Sequence, residues 1–322
     1  MQGAPGAKMQ PASTSEPSYV ALLESGELKR RVAEAWRRLE SCDLCARYCR
    51  VNRLTGINGA VCRTGERAVV ASYGPHHGEE DVLRGRRGSG TIFFAWCNLR
   101  CVYCQNCDVS QKGEGREVEP AELAAMMLEL QGAGCHNINF VTPSHVVAQI
   151  LAAVEIAACK GLRLPLVYNT GGYDSLEALA LLDGVIDIYM PDMKYSDSRA
   201  GHEFSHVRGY WEANRACVRE MHRQVGDLAI DDEGLARRGL LVRHLVLPGD
   251  SAGSEQVFAF LAREVSADTY INIMDQYRPC YRAGEHQRLN RPLAREEYRC
   301  ALAAAHRHAL RRLDSRVSWR DS

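Results

Sequence analysis

The sequence predicts an α/β fold: a parallel sheet of about six strand–helix units behind a small cysteine-rich extension. Two observations carry this. From Gly90 onward, short β-branched runs alternate with stretches of helical spacing, and parallel strands need such crossovers. Before Gly90, residues 41–89 are rich in Cys, Gly and Arg and show little periodicity. The alternation suits either a partial β/α barrel or a doubly wound open sheet.

Taken in order, residues 1–18 form a polar tail without an apolar stretch, expected to be disordered and not a signal peptide. Residues 19–40 carry apolar side chains at helical spacing and, with the loop-dominated segment 41–89, make up the extension 19–89. The barrel spans 90–285. It opens with a strand at 90–95 and a helix over 120–131 begun by Pro120. A strand at 137–141, a helix at 144–159, a strand at 166–169 and a helix from Asp174 follow. Further strands are expected at 185–190, 240–247 and 270–274. The C-terminal segment 286–322 is helical over 293–314.

Composition excludes several classes. Lys+Arg 40 against Asp+Glu 40 argues against a dedicated nucleic-acid binder. No apolar run reaches the ~18 residues of a membrane span. Thirteen cysteines, an odd number with no secretory signal, fit metal chemistry in a reduced, cytoplasmic setting better than a disulfide framework. Cys135, Cys159, Cys217, Cys280 and Cys300 are scattered and expected to be buried small hydrophobes.

The central motif is Cys97-x3-Cys101-x2-Cys104, directly after the strand at 90–95. Three thiolates on one loop suit a [4Fe–4S] cluster with one iron left open. The overlapping run Cys101, Cys104, Cys107 resembles a ferredoxin start but lacks the following x3-Cys-Pro, and no His stands near to complete a zinc site. Cys107 is therefore a bystander. A second set, Cys42-x2-Cys45-x3-Cys49-x12-Cys62, places four thiols where few apolar residues could form a core unaided. It suits structural zinc or a second iron–sulfur centre, and spacing does not choose; free thiols are the plain alternative. Lys29, Arg30, Arg31, Arg37, Arg38, Arg47, Arg50 and Arg53 make a basic patch that would face an acidic flavodoxin, or else a solvated surface.

The Cys97–Cys104 loop, with Tyr103 just before the third cysteine, resembles the signature of radical S-adenosylmethionine (SAM) enzymes. The likeness covers roughly residues 41–285 and is greatest to pyruvate formate-lyase activating enzyme-like proteins, in the branch with an N-terminal cysteine cluster. It implies a partial (β/α)6 barrel, SAM chelated to the open iron, and reductive cleavage to a 5′-deoxyadenosyl radical for hydrogen abstraction. It also implies a flavodoxin- or ferredoxin-type donor and a glycyl-radical-enzyme-like protein substrate. A small-molecule or peptide substrate is the alternative; a non-catalytic electron-transfer or zinc-dependent interaction protein is the alternative of another class.

The resemblance also assigns the strand ends, where a parallel barrel gathers its chemistry. Thr142-Pro143-Ser144-His145 replaces the activases' Gly-Gly-Glu-Pro, and Ser144 reads equally as a helix N-cap. Asp192-Met193-Lys194 resembles an Asp-x-Lys contact to SAM's ribose and carboxylate; a surface ion pair is the alternative. Asn169, Thr170, Met190 and Asp192 match a cation site beside SAM, with Asn169 replacing a carboxylate. Arg243 interrupts an apolar strand and would fork onto SAM's carboxylate, while His244 on the opposite face is structural. Tyr103, Asn169, Thr170, Asp192, Lys194 and Arg243 are thus the expected cofactor contacts.

Overall fold

The computed structural model describes residues 16–317, so expectations for 1–15 and 318–322 lie outside the described residues. Residues 16–18 are docked: the Ser18 backbone N–H and hydroxyl both donate to Asp187 at 3.0 Å. The helix expected at 19–40 is two helices, α1 (Tyr19–Glu24) and α2 (Glu27–Arg38), because Gly26 between them takes φ 75°. Segment 41–89 holds more regular structure than expected. β1 (Ala68–His76) is a nine-residue strand and α3 (Asp81–Arg84) one helical turn.

The alternating region follows as β2 (Ser89–Phe94), β3 (Arg116–Val118), α4 (Pro120–Gly132), β4 (Ile138–Val141), α5 (Val147–Cys159), β5 (Leu166–Thr170), α6 (Leu176–Leu182) and β6 (Ile188–Pro191). Then come α7 (Ser198–Ser205), α8 (Tyr210–Val225), β7 (Ala229–Ile230), β8 (Ala236–Leu245), α9 (Ser254–Phe260), β9 (Tyr270–Met274), α10 (Arg295–Arg307) and β10 (Arg312–Leu313). The final helix is shorter than predicted because the chain turns back to add β10 beside β9.

The sheet runs β10-β9-β8-β6-β5-β4-β2-β1-β3, and among the described residues it does not close. Strands β2, β4, β5, β6, β8 and β9 pair in parallel, the six of the partial barrel. β1 and β3 extend one edge antiparallel. Alternation divides each strand between two faces. Ile92, Phe140, Tyr168, Tyr189, Val242 and Ile271 pack outward under the helices in the main core. Val167, Ile188, Met190 and Leu241 pack together on the inner face. Successive inner-face positions towards the C-terminal strand ends are polar: Asn139, then Asn169, then the Asp192, Arg243 and Asn272 row, and the Asn139 amide has neither of its polar atoms partnered.

Of the scattered cysteines, Cys135 and Cys217 are buried and Cys280 is half-buried, but Cys159 and Cys300 are exposed. No helix among the described residues is long and apolar enough to cross a membrane.

Candidate functional site

The Cys97–Cys104 loop leaves the C-terminal end of β2, the end where β/α barrels carry chemistry. Trp96 begins it with φ 65°, an uncommon conformation for a non-glycine residue, and Thr142 at the end of β4 has φ 62°. Each of the three sulfurs lies against a hydrogen-bonding group. The Leu99 N–H reaches Cys97 Sγ at 3.3 Å, the Ser205 hydroxyl lies 3.0 Å from Cys101 Sγ, and the Ser110 hydroxyl 3.0 Å from Cys104 Sγ. Burial pushes the Cys97 thiol up to about 12, with Cys101 adding like charge. Binding iron there would have to displace protons. Cys107 stands apart, its sulfur 4.0 Å from Asp108 on its own turn.

Asp192, Lys194 and Arg243 form one buried group beside these sulfurs. Asp192 receives Lys194 Nζ at 2.7 Å and Arg243 Nε at 3.0 Å, while Arg243 Nη2 donates to Asn169 Oδ1 at 2.7 Å. The side chains are only 14–19% exposed, so this is not a solvated surface pair. Burial would raise the Asp192 carboxyl, but Arg243 and Lys194 more than offset this and hold it below its ordinary value. Lys194 is held above its own ordinary value: burial opposes its charge, and Asp192 with the Cys101 sulfur prevails. Arg243 also faces the buried Glu79 and Glu80 carboxylates, so its charge is shared among several acids, whereas Lys194, tied to Asp192 and facing the Cys97 and Cys101 sulfurs, is the cation set to meet an anionic ligand beside them.

The fork of Arg243 is directed at Asp192 and Asn169, so it braces the group and does not stand open to solvent. Thr170 leaves the expected set. It lies on the outer face of β5, where its hydroxyl donates to Asp174 at 2.7 Å and meets Ser144 at 2.8 Å. That contact also removes Ser144 as a helix cap, since the residue before α5 is Val146. Asn169 Oδ1 is occupied by Arg243, which weighs further against a cation there. The glycines of Asn169-Thr170-Gly171-Gly172 serve close packing: a Cβ at Gly171 would meet Leu99, and one at Gly172 would meet Asn214 and the Asp192 carbonyl.

Tyr103 is buried, its hydroxyl 2.7 Å from that of Tyr195, which lies 2.7 Å from Ser205. A chain of hydroxyls therefore runs from Tyr103 to the Cys101 sulfur. Tyr195 and Ser205 carry no spacing signal in the sequence and were not among the expected residues. Neither was Tyr210, whose hydroxyl accepts the Lys194 N–H at 3.0 Å. His244 is structural as expected, with its ring nitrogens on the Met193 carbonyl and Ser254 hydroxyl at 2.7 and 2.9 Å.

The extension docks onto this loop. Cys49 acts on Cys42 and, with Arg53 adding, draws the Cys42 thiol down to about 5. Cys45 and Cys62 stand close enough to act on one another and on Cys42. The basic patch is largely neutralised: Arg30 and Arg31 pair with Glu27, Arg37 and Arg38 with Glu34, Arg50 with Asp43, and Arg53 is buried. Among the described residues, no three His, Cys, Asp or Glu side chains close around a single-ion position.

The sequence profile of the radical SAM superfamily matches residues 91–260. The uncharacterized protein MJ0674 of Methanocaldococcus jannaschii is 31% identical over 279 residues, 84% of this chain and 76% of that protein. Among solved structures, a radical SAM methyltransferase from Sphaerobacter thermophilus aligns over 92% of each chain at 12% identity and a TM-score of 0.47. Methylornithine synthase aligns over 91% of this chain and 77% of its own at 13% identity and a TM-score of 0.44. The profile takes in more than half of the chain, so this protein belongs to the radical SAM superfamily, whose enzymes carry out radical chemistry with a [4Fe–4S] cluster and SAM.

Proposed function

We propose that Cys97, Cys101 and Cys104 ligate the [4Fe–4S] cluster and that the Asp192–Lys194–Arg243 group receives the amino-acid end of SAM beside it. One observation carries this: three converging thiols, each against a hydrogen-bonding group, adjoin the buried Lys194 ammonium and its Asp192–Arg243 partners. When bound, the cluster and SAM supply a 5′-deoxyadenosyl radical that abstracts hydrogen from a substrate. The chain's own residues bind, orient and exclude water. Lys194, facing Cys101 and tied to Asp192, offers a point charge to a carboxylate. Arg243 holds Asp192 in place, and Tyr103, Tyr195 and Ser205 close one wall with few exposed atoms.

We further propose an activase-like maturase acting on a glycyl-radical-type protein, with electrons from a flavodoxin- or ferredoxin-type donor in the cytoplasm. The resemblance of the Cys97–Cys104 loop supports that reading. Anaerobic incubation of the reconstituted protein with SAM, reductant and a candidate glycyl-radical enzyme tests it. A glycyl radical signal with 5′-deoxyadenosine is the expected result. Deoxyadenosine formed without a radical on any such partner would point to a small molecule or peptide.

A further inference from the structure

We propose that Cys42, Cys45, Cys49 and Cys62 hold a second iron–sulfur cluster, packed against the first with the Asn98 side chain between their ligand sulfurs. The proposal rests on the assignment of the first cluster to Cys97, Cys101 and Cys104.

Charge is the first argument. Arg53 is 2% exposed, and its guanidinium donates to the Thr64 and Gly65 carbonyls at 2.7 and 3.2 Å and to Cys42 Sγ at 3.6 Å. None of these partners is a carboxylate, and the neighbouring Asp43 is taken by Arg38 and Arg50. A buried guanidinium needs a counter-charge, and the cysteine sulfurs are what surround it. A four-thiolate metal centre supplies that charge.

Order is the second. Residues 42–67 contain no helix or strand, and Tyr48, Leu54 and Ile57 are exposed on them. So little apolar burial does not offset the entropy of fixing the segment, whereas metal binding does.

Spacing distinguishes a cluster from a single ion. Tetrahedral zinc with Zn–S near 2.3 Å would bring all its sulfurs to about 3.8 Å from one another. Here no three of the thiols close around one ion position. A polynuclear cluster takes the wider arrangement.

Adjacency is built from both ends of the segment. Asn98 lies 3.8 Å from Cys97 Sγ through Oδ1, its Nδ2 donates to the Tyr173 carbonyl at 2.7 Å, and its side chain also acts on Cys45. Arg47 Nε donates to the Asn98 carbonyl at 2.6 Å, and its Nη2 is buried without a partner. At the other end, Arg100 bonds the Val61 carbonyl, and Arg63 and Arg100 both sit over the Trp96 ring, at 5.1 and 5.9 Å.

Iron, zinc and sulfide are measured on the anaerobically reconstituted full chain and on the Cys97→Ala/Cys101→Ala/Cys104→Ala variant. The full chain should carry more than the about four irons of one cubane, and the variant should keep iron with matching sulfide. Zinc in the variant, or no metal, overturns the proposal. Should the variant fail to fold, Cys42→Ser/Cys45→Ser in the otherwise native chain serves instead, and its iron should fall to about four. Unchanged iron there overturns the proposal equally. Adjacency is read by electron paramagnetic resonance of the fully reduced native chain. Its spectrum should be broadened or split relative to the sum of the two single-centre variants, and a plain sum overturns the contact. A failure of the first-cluster assignment looks different: the triple variant would then keep all the native iron.

Discussion

Replacing Arg243 with Ala separates bracing from ligand binding at the proposed SAM site. The substitution removes two hydrogen bonds, Nε to Asp192 at 3.0 Å and Nη2 to Asn169 at 2.7 Å. Bonds to charged groups contribute about 1.5–3 kcal/mol each. Asp192 keeps Lys194 at 2.7 Å, so its carboxylate is not left unpaired and the loss falls well short of a fully broken buried pair. One of the two cations beside Asp192 is lost while the buried Glu79 and Glu80 carboxylates remain, and the attraction for an anionic ligand drops accordingly. A loss of about 1.5–3 kcal/mol in SAM affinity corresponds to roughly 10- to 150-fold in Kd. Iron content should be unaffected, because no cysteine partner is touched. Arg243→Lys, which keeps the charge without the fork, should recover only part of the affinity. Anaerobic calorimetric titration of SAM into protein of verified iron content is the assay. Unchanged affinity in Arg243→Ala with full iron would refute the reasoning, and so would loss of the cluster.

Three further outcomes are expected. Alanine at Cys97, Cys101 or Cys104 should abolish SAM cleavage and the cluster's visible absorbance, whereas Cys107→Ala should retain both; the opposite pattern would favour the ferredoxin-like run. Ser205→Ala removes the hydroxyl 3.0 Å from Cys101 Sγ and should make the cluster's midpoint potential more negative in a redox titration, an unshifted potential arguing that this hydroxyl does not donate to the sulfur. Burial lowers His145 to about 3 and His244 to about 4, so both stay neutral in the folded protein while the unfolded chain takes up protons near 6.5. Each therefore costs stability as pH falls from about 6.5 towards its folded value, by roughly 1.4 kcal/mol per pH unit. Denaturation midpoints between pH 7 and 4.5 should fall less steeply in His244→Gln than in the native chain, and parallel slopes would remove His244 from that account.

Much of this was legible in one dimension. The six parallel strands announce themselves because each is a short β-branched run between helical stretches, and the boundaries err by only a few residues. The edge strands β1 and β3 were not legible. β1 sits in a segment dominated by Cys, Gly and Arg, and β3 is three residues long; pairing with β2 and with each other makes them strands. The division of 19–40 into two helices turns on one left-handed glycine, which periodicity does not register.

The candidate site divides along the same line. The sequence by itself marked the three-cysteine loop through its spacing and Arg243 as a charge inside an apolar strand, whereas Asp192-Met193-Lys194 rests on the resemblance to an Asp-x-Lys contact. Tertiary structure decided which of those charges meet. It turned Arg243 onto Asp192 and Asn169, and it sent Thr170 to the helix-covered face by strand alternation. It also brought Ser205 and Tyr195, about a hundred residues downstream, against the Cys101 and Tyr103 side chains. The same holds for the extension. Spacing grouped Cys42, Cys45, Cys49 and Cys62, but only the fold set Asn98 between that group and Cys97 and closed Arg53 in among the thiols. The physical reason is range: ligand spacing and propensity act over a few residues, while burial and charge pairing depend on which distant segments the sheet brings together.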